Sequence, residues 1–244
     1  LDAATGDVAW TAQLDAPIQS SPAVWNGTVY VGTYAGTFYG LDALTGGARW
    51  TTNTGFMSTS SPAIANGVAY IGSTQGHLSA VDARTGDILW QAPTGSIMDS
   101  AAVSNGMVYV AAQEYHLYAF DAATGRRRWQ RHLEASPFSS SPAVANGTVY
   151  MGAGKLYAFD AATGDKLWAR PGGGPTAVAN GVVYTAWGFD VCAYDALLGA
   201  RLWCARVGPY GHSPVVVNGM VYMAGGYSLD GRLYAFGLPS QKGR

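Results

Sequence analysis

One nine-residue phrase, D-A-x-T-G-x-x-x-W, is written six times along this chain of 244 residues, and it constrains the fold more than any other feature. Its aspartates are Asp2, Asp42, Asp82, Asp121, Asp160 and Asp195. Its tryptophans are Trp10, Trp50, Trp90, Trp129, Trp168 and Trp203. Both series advance by 40, 40, 39, 39 and 35 residues. A period near forty marks a repeat architecture, in which each unit buries its apolar face against its neighbours.

Residues 141–168 serve as the template of one unit. Ser141–Ala145 alternates and is short, and it reads as a strand. Asn146-Gly147 follows, the strongest two-residue hairpin signal, because a type I′ turn needs positive φ at both positions. Thr148–Met151, Leu156–Phe159 and Asp165–Trp168 read as three further strands, separated by turns. Four antiparallel strands per forty residues make one blade of a β-propeller. The Asn-Gly turn recurs at Asn26, Asn66, Asn105, Asn146, Asn180 and Asn218. Each is followed by a tyrosine: Tyr30, Tyr70, Tyr109, Tyr150, Tyr184 and Tyr222. The fold expected is therefore all-β, a six-bladed propeller forming a single domain over 1–244. The blades fall at about 18–53, 58–93, 98–132, 138–171, 174–206, and 212–237 together with 1–13. The last unit stops after its third strand, and the first ten residues hold a turn and fourth strand with nothing before them. Asp7–Ala12 is thus expected to complete the sixth blade and close the ring, removing its open edges.

Composition agrees with many turns around a large core: 48% of residues are apolar, only 12% are charged, and there are 33 glycines. A net charge of −1 argues against general binding to nucleic acid or an anionic membrane. The basic run Arg126-Arg127-Arg128 lies inside a repeat and reads as a solvated outer strand. No run of eighteen apolar residues exists, so no direct membrane insertion is expected. The chain begins at Leu1, inside a repeat, which suggests a piece of a longer precursor.

The repeated residues read as structural. Each aspartate can accept hydrogen bonds from backbone N–H groups one or two residues on. Gly6, Gly46, Gly86, Gly125, Gly164 and Gly199 permit a left-handed backbone. The threonine hydroxyl can hold the same turn, and it is missing only where Leu198 stands. Each tryptophan is placed to pack across the seam to a neighbouring blade, its N–H directed to a backbone carbonyl there. Six carboxylates and six indoles spread one per blade around a ring cannot converge on one substrate, so they are not read as catalytic.

These residues resemble the tryptophan-docking motif of the PQQ-like β-propellers, A-x-D-x-x-T-G-x-x-x-W. Residues Ala119–Trp129 and Ala158–Trp168 match it in full. Relatives of that kind include quinoprotein alcohol dehydrogenases, BamB-like lipoproteins that scaffold outer-membrane assembly, and extracellular sensor domains of bacterial kinases. The resemblance implies eight blades, a vicinal Cys-Cys, a calcium ion and a catalytic aspartate for the dehydrogenases. This chain supplies six blades, and its two cysteines, Cys192 and Cys204, are not adjacent. The docking motif therefore carries over, and no catalytic, cofactor-binding or metal-binding residue does.

Elsewhere the chemistry is sparse. His77, His116, His132 and His212 fall in different blades without metal-ligand spacing. A Ser-His-Asp set could be assembled from His212 and Asp99, as in any serine-rich chain, and no G-x-S-x-G elbow or P-loop is present. Gly172–Pro175 reads as a tight connector. Cys192 and Cys204 lie six residues either side of Leu198, nearly opposite on a hairpin. Either a cross-strand disulfide or two small buried thiols fits that placement, and the disulfide is the reading preferred. It implies an oxidising, extracytoplasmic setting: periplasm, secreted space or cell surface.

Function is sought where the repeats disagree. The loops from strand two to three and from strand four to the next strand one carry Tyr34, Phe56, Met57, Met98, Asp99, Glu114, Tyr115, Phe138, Trp187, Phe189, Tyr210, His212 and Tyr227. Aromatics and methionine are enriched at interfaces and in ligand pockets, while some such residues merely cap a channel. The expectation is a binding or scaffold propeller without enzymatic activity or cofactor, recognising a protein partner through one loop face. Rival readings are a small-ligand sensor domain of a larger receptor or kinase, and a reduced PQQ-dependent dehydrogenase.

Overall fold

A computed structural model describes residues 4–56, 60–137, 140–208, 213–227 and 230–237. Every regular element among them is a β-strand. The first sheet holds β1 (Ala23–Trp25), β2 (Thr28–Gly32), β3 (Thr37–Asp42) and β4 (Ala48–Asn53). The second holds β5 (Ala63–Ala65), β6 (Val68–Ser73), β7 (His77–Asp82) and β8 (Ile88–Pro93). The third holds β9 (Ala102–Ser104), β10 (Met107–Ala112), β11 (His116–Asp121) and β12 (Arg127–His132). The fourth and fifth are β13 (Ala143–Ala145), β14 (Thr148–Ala153), β15 (Lys155–Asp160), β16 (Lys166–Pro171), and β17 (Thr176–Ala179), β18 (Val182–Trp187), β19 (Asp190–Asp195), β20 (Arg201–Arg206). The sixth has three strands, β21 (Val215–Val217), β22 (Met220–Tyr227) and β23 (Asp230–Gly237). In each sheet the strands follow chain order and pair antiparallel. Contacts group the chain into two compact units, residues 1–131 and 132–244.

Turn chemistry sets this meander. All six hairpin asparagines have positive φ, from 47° at Asn26 to 52° at Asn180, and the glycine after each is left-handed too. That is the backbone a two-residue type I′ loop requires. The register Ala23↔Tyr30 and Trp25↔Thr28 in the first sheet leaves only Asn26-Gly27 in the loop. The middle strands are covered on both faces, so they read as nearly continuous apolar runs: Val149, Met151, Leu156 and Ala158 are fully buried. The fourth strands instead alternate and show charged residues to solvent.

Where β4 pairs with β3 the register slips between Gly40 and Leu41, and the same slip recurs in the second, fourth and fifth sheets. Such a bulge re-aims one side chain. In the first sheet the skipped residue is Arg49, whose Nη2 donates to Asp42 Oδ2 at 2.6 Å. Arg128 reaches Asp121 in the same way at 2.6 Å. This guanidinium, with the Thr124 hydroxyl and N–H, lowers the Asp121 pKa to about 2. Oδ1 of Asp42, Asp82, Asp121, Asp160 and Asp195 caps its turn: Asp42 Oδ1 accepts from Leu44 N and Thr45 N, both at 2.9 Å. The bonded N–H groups are thus two and three residues on, where one or two was expected, because the turn presents both together. Asp195 makes the same pair of bonds without the threonine, to Leu197 N and Leu198 N.

That turn is the socket for a tryptophan of the preceding sheet. Trp50 Nε1 donates to Ala83 O at 3.2 Å and Trp90 Nε1 to Ala122 O at 3.0 Å. In the second unit Trp168 Nε1 donates to Ala196 O at 3.3 Å. The hairpin tyrosines serve the same carbonyls: Tyr30 to Ala83 O (2.9 Å), Tyr70 to Ala122 O (3.2 Å) and Tyr150 to Ala196 O (3.1 Å). The motif glycine lies under the indole. A Cβ on Gly86, Gly125 or Gly199 would sit 2.7, 2.6 and 2.7 Å from Trp50, Trp90 and Trp168. The connections that enter the first three sheets are stitched as well: Ser21 N donates to Ser61 Oγ, and Ser61 N to Ser100 Oγ.

The fourth strand expected at Asp7–Ala12 is not shown: among the described residues no strand is assigned there, and the sixth sheet has three. Asp2 lies outside the described residues. A side chain tethers the segment, since Trp10 Nε1 donates to Ala43 O at 2.9 Å and its ring covers Gly46. Indole docking needs one socket, whereas a strand ladder needs a partner edge along its whole length, and the first forms here without the second.

In the fifth sheet Cys192 and Cys204 face each other across β19 and β20 and form a disulfide, S–S 2.05 Å and Cα–Cα 4.1 Å. Gly173 and Gly174 pack against backbone: a Cβ on Gly174 would lie 1.9 Å from Ala186 O, and one on Gly173 would lie 2.6 Å from the Gly154 backbone.

Two substitutions separate the roles of the left-handed glycines. Gly106→Ala meets nothing within 4 Å, so urea denaturation should show a loss of about 1–2 kcal/mol from its positive φ alone. Gly125→Ala adds displacement of the Trp90 indole and should cost at least about 1 kcal/mol more. Equal losses would deny the glycine its packing role. For the disulfide, whose cysteines are 12 apart in sequence, Cys192→Ser with Cys204→Ser should remove about 2–3 kcal/mol. Reduction of the parent protein should reproduce that loss and raise the intact mass by about two daltons.

Candidate binding face

Antiparallel meanders have two ends, and the repeats differ at one of them. The socket turns occupy one end of each sheet. The other end carries the β2–β3, β6–β7 and β10–β11 turns, with the connections that enter each following sheet. In the first unit these loops are laced by backbone hydrogen bonds: Tyr34 N to Pro17 O, Thr74 N to Phe56 O and Gln113 N to Ser96 O. Further bonds run from Thr54 N to Gly36 O and from Thr94 N to Gly76 O. The result is a continuous loop end built on three sheets.

Its side chains are held in several ways. Ser96 N donates to Glu114 Oε1 at 3.0 Å, and the Glu114 carboxylate lies against Gly95, where a Cβ would be 1.6 Å from Oε2. His77 Nε2 sits 3.0 Å from Thr54 O, and Gly55 packs on Ser73 and Gln75. Gln113 Nε2 donates to Met98 Sδ, while Ile97 beside it is fully buried. Met98 and Asp99 are half-buried. Thr37 Oγ1 donates to Asp15, and this bond holds the Asp15 carboxyl below the usual carboxylate range.

The aromatics of these loops are held partly in water. In the first unit Tyr34, Phe56 and Tyr115 are between 47 and 52% exposed. In the second unit Trp187 and Phe189 flank Gly188 at the β18–β19 turn, 53 and 49% exposed. There the Arg206 guanidinium stacks over the Phe189 ring at 4.9 Å. Within this unit Lys155 and Glu134 form an ion pair at 2.6 Å. Of the remaining expected face residues, Met57, Phe138, Tyr210 and His212 lie outside the described residues. Tyr227 ends β22, and its side chain is not described.

No group of three metal-ligating side chains occurs among the described residues. A groove of about 420 Å³ opens beside Trp203, Ala235, Phe236 and Gly237 in the second unit. It is a socket-like site at the free edge of β23, with the Trp203 and Phe236 rings 5.6 Å apart. Sequence reasoning did not find three features: the tyrosines sharing the Ala83, Ala122 and Ala196 carbonyls, the glycines beneath Trp10, Trp50, Trp90 and Trp168, and the serine stitching. All three carry the forty-residue period, so the signal was present in the recurrent Tyr after Asn-Gly, the Gly of the motif and the recurrent Ser-Ser-Pro.

The family model described as outer membrane protein assembly factor BamB matches residues 1–97, 95–171 and 152–238. Among curated proteins no sequence matches. Among solved structures, BamB from Moraxella catarrhalis is 21% identical, with a TM-score of 0.79 over 95% of this chain and 74% of its own. The computationally designed Ika8 protein is 16% identical, with a TM-score of 0.76 over 93% of this chain and 73% of its own. The quinohemoprotein alcohol dehydrogenase ADHIIG from Pseudomonas putida HK5 is 18% identical, with a TM-score of 0.68 over 81% of this chain and 43% of its own. Such distant likenesses carry the fold, an assembly factor, a designed protein and an enzyme sharing it. With matched segments reaching from residue 1 to 238 and the docking motif in each, the chain belongs to the PQQ-like β-propeller repeat family represented by BamB.

Proposed function

We propose that this chain is a non-catalytic binding module that holds a protein partner against the loop end of its sheets, outside the cytoplasm. The observation that carries this reading is the set of half-exposed aromatics, Tyr34, Phe56, Tyr115, Trp187 and Phe189, on loops tied to rigid strands. Rings of this kind bury much area at little entropic cost, which is why they anchor interfaces. The name of the matching family, an assembly factor, points the same way. The Cys192–Cys204 bond fits an oxidising compartment. A quinoprotein reading would need adjacent cysteines, whereas these two are spent on each other across a strand pair.

The same proposal includes closure of the ring by residues 7–12. Two half-sites support it. Trp10 is seated on the first sheet as a fourth-strand tryptophan would be, and the sixth sheet has an open β23 edge beside the Trp203 groove.

Capture of partners from a cell-envelope extract, with cross-linking, tests the function. Trp187→Ala with Phe189→Ala should abolish capture without lowering Tm, while Leu44→Ser with Leu197→Ser at the opposite end should leave it intact. The reverse pattern would move the interface to the socket end. Alcohol oxidation on addition of PQQ and calcium would replace the binding reading altogether. Closure is tested by hydrogen exchange: deleting residues 1–12 should unprotect the β23 amides, and unchanged exchange there would reject it.

A further inference from the structure

The two-residue hairpin loops carry a reactive pair as well as a turn. In an Asn-Gly sequence the glycine amide nitrogen can attack the asparagine Cγ. A C–N bond forms, the side-chain amide leaves as ammonia, and water opens the resulting succinimide ring. Opening on one side gives aspartate. Opening on the other gives isoaspartate, whose backbone runs through the side chain and is one methylene longer. Asparagine and water thus become an acid and ammonia, with no oxidant or reductant. Glycine favours the attack because it has no Cβ to hinder it and leaves the backbone free to turn.

Asn26, Asn66, Asn105, Asn146, Asn180 and Asn218 are all exposed. Their loops are tight, with pairs such as Ser104↔Met107 and Ala179↔Val182 closing directly around Asn-Gly. Attack therefore needs the Asn-Gly peptide to swing out of the turn, and whatever leans on the glycine resists it. The sister hairpins differ there. A Cβ on Gly106, Gly147, Gly181 or Gly219 would meet nothing within 4 Å. Gly67 is instead half-buried, and the Trp25 ring lies 3.6 Å from its Cβ position. Trp25 stands where the other sheets have Ala65, Ser104, Ala145, Ala179 and Val217. Gly27 lies beside Arg49, whose Nη2 is 3.9 Å from its Cβ position. That arginine is itself fixed, donating to Thr28 Oγ1 at 2.7 Å and to Asp42 Oδ2 at 2.6 Å.

We infer that Asn105, Asn146, Asn180 and Asn218 are sites of spontaneous conversion to aspartate and isoaspartate, while Trp25 and Arg49 hold Asn66 and Asn26 back from it. The inference is independent of the binding reading above. These sites touch the seams. Gly106 O accepts from Ala122 N and Gly181 O from Ala196 N, both at 2.9 Å. The Ala122 carbonyl holds Tyr70 and Trp90, and the Ala196 carbonyl holds Tyr150 and Trp168. An extra methylene at Asn105 or Asn180 displaces the glycine from its bond and loosens the socket behind it.

Ageing the folded protein in mildly alkaline buffer tests the inference. Peptide mapping by mass spectrometry counts amide-to-acid conversion at each loop, and enzymatic methylation counts isoaspartyl carboxyls. Asn66 and Asn26 should convert at least about fivefold more slowly than the other four. In urea, where nothing braces the loops, all six should convert alike. Trp25→Ala should bring Asn66 to the rate of Asn105. The readout is the ratio of the two sites within one sample, so general loosening of the variant, which speeds both, leaves the test intact. An unchanged ratio overturns the inference, as do equal rates at all six loops of the folded protein. Persistence of the order in urea assigns it to neighbouring sequence and overturns it too. An aged sample should also melt below the Asn105→Asp, Asn180→Asp protein, which gains charge without the longer backbone. Equal melting would overturn the link to the seams.

Discussion

The structure depends on one backbone oxygen per seam, that of the alanine after the motif aspartate. A carbonyl has two lone pairs, and at Ala83, Ala122 and Ala196 both are used, one by an indole N–H and one by a tyrosine O–H from the preceding sheet. The donors are largely buried, with Tyr30 1% exposed, so neither could fall back on water if the oxygen were displaced. Each bond is worth about 1 kcal/mol net, and leaving a buried donor unpaired costs about 1–3. The rest of the motif presents that oxygen. The aspartate gathers the N–H groups of its turn, the bulge of the first sheet turns Arg49 onto Asp42, and Arg128 pairs with Asp121. The glycine removes the Cβ that would hold the indole away.

Much of this was legible in sequence because it is local. Asn-Gly at six equivalent places fixes six hairpins, and the aspartate-to-glycine turn needs only residues within five of each other. The alternation and length of the runs between them leave little choice of strand. What was not legible is what two distant segments do together. Tyr30 and Trp50 reach the same atom from sequence separations of 53 and 33, and no spacing rule says that both do. The glycine beneath the indole is similar, since left-handed backbone alone explains its presence until the neighbouring ring is in place. The pairing expected of Asp7–Ala12 is of the same kind. Its side-chain signature is right, as Trp10 on Ala43 shows, but pairing is a property of two edges.

Of the loop end, the sequence marked the aromatics and left their setting open. It could not tell a ring that caps its own loop from one held in water. Ile97 and Tyr115 are both apolar interruptions of the repeat in the third sheet's loops, yet one is fully buried and the other half exposed. The difference lies in backbone placement. Ile97 N is bonded to Ser73 O, which turns its side chain inward beneath the β6–β7 turn, and Tyr115 stands at the tip of its own turn.

A repeat protein gives a natural control for such judgements, because sister positions share the same structural demands. Where a demand is met at sister positions by one residue, as by the glycine under Trp10, Trp50, Trp90 and Trp168, the residue belongs to stacking. Where a position departs at a cost, stacking cannot be the cause. The Ser79–Gln91 hydrogen bond and the Cys192–Cys204 disulfide occupy the same cross-strand pair in two different sheets, so the disulfide substitutes one stabilising link for another. Tyr115 differs in kind. Glycine was available, the sister turns use it, and the tyrosine accepts backbone strain while leaving half its surface in water.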